Sequence, residues 1–348
     1  MAKPVLGVLF GGKSNEHEVS LLTAASVIPA LDRLGIPRLA LWMDRDGRPF
    51  LFSGDVSALA DGVLPADPSA LAPADLVRGG VFRRDGRGFL PLSGVFLAAH
   101  GGATEDGRLQ GMLDLLTLSY AGSGAESCAV TMNKALCKTV LAAAGIPVAS
   151  GFAATVGDGA DGAIRRVEET LPYPVFVKPA RSGSSVGAGI ARDRAELSLR
   201  IDAAKETDRL ILFEPLFVGR EIEVGVLADE NGVPQASPPG ELFYDAGFYD
   251  YRTKYAVGAK VAVPADLSPA LSGRLRALSL AAFSALGCRH YARVDFFLSH
   301  DGTLVLNEVN ALPGLTDKSM FPRLAAAMGV PFPALIRRLA AFATEGAP

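Results

Sequence analysis

Cysteine is scarce: Cys128, Cys137 and Cys288 are the only three in 348 residues. Scattered and odd in number, they exclude a disulfide scaffold and a cysteine-rich zinc site, and suit a reducing cytosol. Neither sign of charge is in excess, since 34 basic against 37 acidic side chains leave a formal net charge of −3. With no basic run in the chain, nucleic acid is not an expected partner. No apolar run approaches the about 20 residues of a membrane-spanning helix, and no basic-plus-apolar signal segment opens the sequence. The expectation is a cytoplasmic globular enzyme or binding protein with no membrane partner. At 348 residues the chain exceeds one ordinary core, so two or three domains are expected.

What the chain does have is most concentrated in residues 293–314. Two β-rich runs flank Asp301-Gly302, a two-residue hairpin signal. With those residues as the turn, His300 faces Thr303, Phe297 faces Leu306, Asp295 faces Glu308 and Arg293 faces Asn310. Opposed like charges destabilise a strand pair, so Asp295 and Glu308 need a reason to coexist. A hard divalent cation, with Asn310 as a further oxygen ligand, is one. A solvated hairpin edge, both acids in water, is the other. The register argument holds only if no bulge interrupts the turn.

The amino-terminal part reads as α/β. Residues 4–10 form a short apolar strand, Gly11-Gly12 follows, and a helix begins with Asn15 and Glu18 at capping-box spacing and ends at Leu34-Gly35-Ile36-Pro37. A second strand at residues 38–43 makes the opening βαβ, so a parallel sheet is expected. Residues 7–14 match the phosphate-loop pattern G-x-x-x-x-G-K-[ST], but Gly7 lies inside the apolar run, and Gly11-Gly12-Lys13 alone is too short to wrap a phosphate chain. A small-molecule site at the strand's carboxyl end fits better, presenting Glu16 and Ser20; an acid favouring the helix dipole is the plainer reading of Glu16. Residues 52–88, rich in Pro, Ala, Asp and Gly, read as loops and short helices. Residues 94–99 form another buried strand, and His100-Gly101-Gly102 again sets a polar side chain at a strand end.

A helix over residues 131–144 carries Lys134 and Lys138 one turn apart, normally a solvated face. A strand ending in Lys178 then leads into Arg181-Ser182-Gly183-Ser184-Ser185-Val186-Gly187. Such a loop folds its N–H groups around phosphate oxygens, with the strand-borne lysine adding charge. The alternative is a flexible linker, but linkers are not usually bracketed by Val-Phe-Val-Lys and a returning Gly-Ile-Ala strand. Residues 220–227 alternate Glu221 and Glu223 with Ile222 and Val224. Phe243, Tyr244, Phe248, Tyr249, Tyr251 and Tyr255 crowd a stretch without period, as in a lid over a site.

Taken in order, seven stretches of the chain resemble the D-alanine–D-alanine ligase family of the ATP-grasp superfamily. They are residues 10–20 (FGGKSNEHEVS), 100–111 (HGGATEDGRLQG), 132–134 (MNK), 177–187 (VKPARSGSSVG), 249–255 (YDYRTKY), 293–295 (RVD) and 307–314 (NEVNALPG). The resemblance implies an α/β fold with α+β character in its second half. A parallel α/β domain (1–125) would precede a two-part ATP-grasp fold, whose central part (126–213) carries the phosphate loop and whose last part (214–348) carries the metal site and lid.

By the same resemblance, Asp295, Glu308 and Asn310 hold two Mg2+ or Mn2+ ions, with Glu308 between them. Lys134 and Lys178 hold ATP phosphates under a loop that includes Ser182 and Ser185. Glu214, Leu216 and Phe217 flank the adenine, Glu221 takes the ribose, and Lys254 and Asn307 complete the nucleotide site. Glu16, in a network with Ser184 and Tyr255, holds the first D-alanine's ammonium, and His100 lies near the reacting groups. Arg293 and the Gly314 N–H stabilise an oxyanion, and Ser319 with Met320 seats the second carboxylate. The implied function is ATP-driven joining of two D-alanines through an acyl phosphate for peptidoglycan precursor synthesis, by a homodimer in the cytoplasm. Two positions depart from the pattern: Pro215 removes a backbone donor beside the adenine, and Ala180 stands where a small polar residue is common.

Other readings remain. D-lactate or D-serine would replace the second D-alanine in relatives that differ at the position of Tyr255. A nucleotide-binding regulator without catalysis should have lost a metal ligand or a phosphate lysine, and none is missing. A phosphate-loop NTPase would depend on Lys13.

Overall fold

The computed structural model describes residues 3–64, 68–86, 88–157, 159–243 and 260–345. Its first strand, β1 (Val5–Gly11), lies parallel to β2 (Arg38–Met43) and to β6 (Gly88–Leu97). A strand buried on both faces needs the near-continuous apolar run that β1 has. Between β1 and β2 runs α1 (His17–Arg33), which buries Leu21, Ala24, Val27, Ile28 and Leu31 at helical spacing. Gly7 pairs with Leu39 and Val95 inside β1, which continues to Gly11. No loop is left to wrap a phosphate there, and the phosphate-loop pattern is a coincidence of letters.

The capping box expected at Asn15 and Glu18 does not form. Glu16 takes the cap position without a side-chain cap bond, and the Glu18 carboxylate is held by Arg45 instead. The short helices expected in residues 52–88 are two 3-10 turns, but two strands that were not expected follow them. β3 (Pro49–Phe52), β4 (Leu71–Val77) and β5 (Gly80–Arg83) run antiparallel and close the cycle β1-β2-β3-β4-β5-β6. These runs are too short to show a period, and the Gly79 that makes the β4–β5 turn, at φ +73°, reads as a loop signal from sequence. After β6 comes α2 (Arg108–Leu115).

The helix expected over 131–144 is two helices, α3 (Ala125–Met132) and α4 (Lys134–Ala143). Asn133 breaks them with an extended backbone at ψ 93°, and its side chain accepts from the Leu136 N–H to cap α4. A four-stranded antiparallel sheet follows, ordered β7-β10-β8-β9: β7 (Phe152–Thr155), β8 (Val175–Pro179), β9 (Gly189–Ala191) and β10 (Leu210–Pro215). Against it pack α5 (Asp161–Thr170) and α6 (Arg194–Lys205) through Ile164, Val167, Leu197 and Ile201.

The last sheet is also antiparallel. It orders β14 (Lys260–Ala262), β13 (Gly240–Phe243), β11 (Gly219–Ala228), β15 (Tyr291–Ser299) and β16 (Leu304–Asn310), with β12 (Pro234–Ala236) beside β11. One face is covered by α7 (Pro269–Ala285). Cys137 and Leu141 of α4 enter this same core beside Phe296 and Leu306. Two helices close the described chain, α8 (Met320–Ala327) and α9 (Phe332–Thr344). Leu335, Ile336 and Leu339 of α9 return to the core of the first sheet. The cores of the first and last sheets therefore interleave along the sequence, while that of the middle sheet is drawn from one continuous stretch. Among the described residues, no single helix is long and apolar enough to cross a membrane.

That return is tight. A Cβ on Gly94 in β6 would lie 1.7 Å from the Ala343 carbonyl oxygen of α9. Gly94→Ala is expected to cost about 3 kcal/mol through overpacking against backbone that cannot yield. A thermal melt reads this directly, and an unchanged midpoint would show that α9 is not seated on β6.

Candidate active site

The β15–β16 hairpin sets the site. Asp295 faces Glu308 and Arg293 faces Asn310, but the rest of the register differs from expectation. The Ser299 N–H bonds the Thr303 carbonyl, so Ser299 and not His300 stands opposite Thr303, and Phe297 faces Val305, with Phe296 facing Leu306. The turn has one residue more than a two-residue loop, which moves the upper pairs by one. A bulge between Asp295 and Phe296 moves them back. The extra residue in β16 is Asn307, and the bulge lets Asn307 and Glu308, neighbours in sequence, both line one cleft.

Asp295 is 1 % exposed, which excludes the solvated-edge reading. Across the sheet its other partner is Glu223 on β11, so three acids stand side by side. Arg293 offsets them: its guanidinium spans both Asp295 oxygens at 2.8 Å, and its Nε is 3.1 Å from Glu223 Oε2. Burial alone would weaken the Arg293 proton's hold, and the carboxylates of Asp295 and Glu223 outweigh it, keeping the group charged more firmly than an ordinary arginine. Sequence reading gave Glu223 no role. Its alternation with Glu221 was the available signal, because period two puts both on one face.

Lysines reach the cleft from two other elements. Lys134 opens α4, where the Asn133 break holds it; its backbone N–H bonds the Ala180 carbonyl, and its Nζ donates to the Ser182 carbonyl at 2.7 Å and lies 3.4 Å from Glu308. Lys178 ends β8 and reaches Asn307 Oδ1 at 3.2 Å and Glu214 Oε2 at 2.8 Å. Lys138, expected on a solvated face, is buried and paired with Glu214. The buried Cys137 and Leu141 already mark that side of α4 as inward. Burial would raise the Glu214 carboxyl, and the two ammoniums beside it outweigh that and hold it below the usual range.

Above the lysines lies the Ser/Gly loop. Ser184 and Ser185 adopt left-handed backbone, at φ 52° and 56°, a conformation that costs a non-glycine residue about 1–2 kcal/mol. Several bonds hold it there. The Arg181 guanidinium and N–H grip Asp208 at 2.7–3.0 Å, the Val186 N–H bonds the Gly183 carbonyl, and the Ser184 hydroxyl donates to the Glu16 carboxylate. Glu16 thus joins the loop to the first sheet. It fits there because Gly101 has no side chain: a Cβ on it would sit 2.7 Å from Glu16 Oε2.

One cleft runs under this loop between β8, β10, β15 and β16. Its inner end is apolar, with Phe176, Leu216 and the stacked pair Phe217 and Phe297 at 5.2 Å, while Glu221 lines it with Ser182 and Ser185. A second cavity meets it at Arg293 and Glu308 and reaches Glu16, His100, Gly314, Ser319 and Met320. There His100 Nε2 bonds Thr23 Oγ1 at 2.8 Å, and Ser319 Oγ lies 2.7 Å from Thr316 Oγ1. Asn310 also lines this cavity, its Oδ1 accepting from the Leu312 N–H at 3.0 Å. Of the aromatic stretch expected to lack a period, Phe243 ends strand β13, and the rest, with Lys254 and Tyr255, lies outside the described residues.

The donor set fits a hard cation. Asp295, Glu308 and Asn310 offer oxygen only, and each Asp295 oxygen keeps a lone pair beyond the one Arg293 uses. Among the described residues no three His, Cys, Asp or Glu side chains gather to hold a metal. An ion here would therefore rest on two carboxylates, an amide, water and a ligand's own oxygens, as magnesium does beside phosphates.

A family model described as "D-ala D-ala ligase N-terminus" matches residues 5–123, and one described as "D-ala D-ala ligase C-terminus" matches residues 140–341. The chain is 39% identical over 354 residues to the D-alanine–D-alanine ligase of Shouchella clausii, covering 99% of this chain and 96% of that one. Among solved structures, the VanG D-Ala:D-Ser ligase of Enterococcus faecalis superposes with a TM-score of 0.87 at 28% identity, covering 98% of this chain and 99% of that one. The D-alanine-D-alanine ligase of Coxiella burnetii does so with a TM-score of 0.83 at 30% identity, covering 98% and 95%.

Proposed function

The chain belongs to the D-alanine–D-alanine ligase family, and we propose that the two joined cavities are its active site. It is an ATP-dependent ligase of the ATP-grasp fold that joins two D-alanines through an acyl phosphate for peptidoglycan precursor synthesis. The reading of the site is carried by one observation: Lys134 reaches Glu308 and Lys178 reaches the adjacent Asn307, beside the facing Asp295 and Glu308 and beneath a loop of left-handed serines.

ATP lies in the cleft with its base among Phe176, Leu216, Phe217 and Glu214 and its ribose at Glu221. Lys134 and Lys178 meet the phosphates, under Ser182 and Ser185. One or two magnesium or manganese ions held by Asp295, Glu308 and Asn310, with Asn307 beside them, would neutralise charge on the transferring phosphoryl group. Glu16, with Ser184 and Tyr255, holds the ammonium of the first D-alanine, so that its carboxylate can attack the γ-phosphate and displace ADP, leaving the acyl phosphate. The second D-alanine's carboxylate sits at Ser319 and Met320, and its amine attacks the acyl carbon, with His100 near the reacting groups. Arg293 and the Gly314 N–H stabilise the tetrahedral oxyanion, and phosphate leaves.

Water must be kept from the acyl phosphate. The Ser/Gly loop, tied to Glu16 across the cavity, supplies part of that cover. We assign residues 1–125, 126–213 and 214–348 to the amino-terminal, central and carboxy-terminal units of this machine, and Lys254 to the lid side of the nucleotide. A homodimer in the cytoplasm is the setting that the family resemblance and the free cysteines support.

Phosphate release with ATP and Mg2+ tests the reading. D-alanine is expected to support it and L-alanine not, with D-alanyl-D-alanine as the product. Mainly D-alanyl-D-lactate or D-alanyl-D-serine near neutral pH would overturn the assignment of the second site.

A further inference from the structure

Lys138 takes no part in the steps above, yet it is 7 % exposed and bonded to Glu214 Oε1, while Lys178 holds Glu214 Oε2 at 2.8 Å. One buried carboxylate therefore stands between two ammoniums, which leaves one positive charge in surplus. A buried charge persists only where it is partnered.

The two lysines are not equivalent. Lys178 lines the nucleotide cleft and already touches Asn307 on its far side. Lys138 lies behind Glu214, fixed by α4, whose Cys137 and Leu141 are locked in the core under β15 and β16. Only Lys178 can turn toward an incoming phosphate. Once it turns, Glu214, 4 % exposed, keeps its other counter-charge among the described residues because Lys138 stays.

We propose that Lys138 is a positioning residue, the standing counter-ion of Glu214 that frees Lys178 for the triphosphate of ATP. This rests on reading the cleft as the ATP site. Without Lys138, Glu214 would detain Lys178. The penalty falls on phosphate binding and spares the nucleoside.

Calorimetric titration of the full-length enzyme with ATP and with adenosine tests this through the ratio of the two affinities, in which effects on the base cancel. In K138M the ratio is expected to fall about tenfold, the worth of one charge-assisted hydrogen bond. K138M/E214Q should recover it, because a neutral amide in place of the Glu214 carboxylate no longer detains Lys178. E214Q alone should keep at least the wild-type ratio, a result readable even if K138M folds poorly.

An unchanged ratio in K138M, equal weakening of both ligands, failure of E214Q to rescue, or a lowered ratio in E214Q alone would each overturn the proposal. K178M separates the underlying reading. If K178M keeps the wild-type ratio, the phosphate assignment falls and the proposal with it. If K178M loses the ratio and K138M does not, the proposal alone falls.

Discussion

Glu308→Gln is expected to lower kcat by about a hundredfold to a thousandfold, the usual range for losing a group that stabilises transition-state charge. Gln matches Glu in shape, so the strand pairing with Asp295 and the bulge beside it should survive. What leaves is the charge facing Asp295 and lying 3.4 Å from Lys134. A magnesium ion would then depend on Asp295, both of whose oxygens the Arg293 guanidinium already spans, and on Asn310, whose Oδ1 is already shared with the Leu312 N–H. The Mg2+ concentration for half-maximal rate should rise together with the loss of kcat. KM for ATP should move less, because Lys134 keeps its bond to the Ser182 carbonyl and Lys178 keeps its place. Phosphate release with Mg2+ and ATP each varied gives all three numbers. A variant with wild-type kcat and an unchanged Mg2+ midpoint would show that Glu308 holds no metal.

The pairing of Asp295 with Glu308 was legible in the sequence, but through two deviations that cancel. Turn residues alone do not say whether Asp301-Gly302 closes a loop of two residues or three, and a bulge at Asn307 leaves no mark in an apolar pattern. Only the pairs below the bulge keep the expected register. The break at Asn133 was hidden for a related reason. Residues on both sides of it form helix, and an N-cap shows in sequence only when something non-helical precedes it.

The strands within residues 52–88 were missed because β4 and β5 are held by their partners across the cycle, not by local preference. Lys138 was missed for the converse reason. A lysine one turn from another reads as solvated until the buried side of its helix is known, and that side is set by a core built mostly from residues about 80 to 170 positions further on, a separation no local pattern reports. Motifs tied to one tight stretch of backbone were the most legible, as with the Ser/Gly loop after Lys178 and His100-Gly101-Gly102 after β6. Their letters are dictated by close approach, and the 2.7 Å that a Gly101 side chain would leave to Glu16 is such a constraint.

Arg293→Lys is expected to lose about a hundredfold or more in kcat, although the formal charge is conserved. Arg293 presents a planar fork. Nε and Nη2 each meet one oxygen of Asp295 at 2.8 Å, and Nε also lies 3.1 Å from Glu223. A lysine offers one ammonium, which cannot span Asp295, reach Glu223 and face the neighbouring cavity together. Burial adds a second loss. Arginine stays protonated at 7 % exposure with its affinity for the proton raised by the carboxylates around it, whereas a lysine at the same place shifts far more readily toward its neutral form. A neutral amine would leave the row of Glu223, Asp295 and Glu308 largely uncompensated. Because Arg293 faces both cavities, the loss should appear in kcat at saturating ATP and D-alanine, with KM for ATP changed only a fewfold. Steady-state kinetics with each substrate varied in turn separates these effects, and a thermal melt guards against simple unfolding. A folded Lys variant with near wild-type kcat would mean that Arg293 serves only to tie β15 to β11, and the oxyanion would then need another donor.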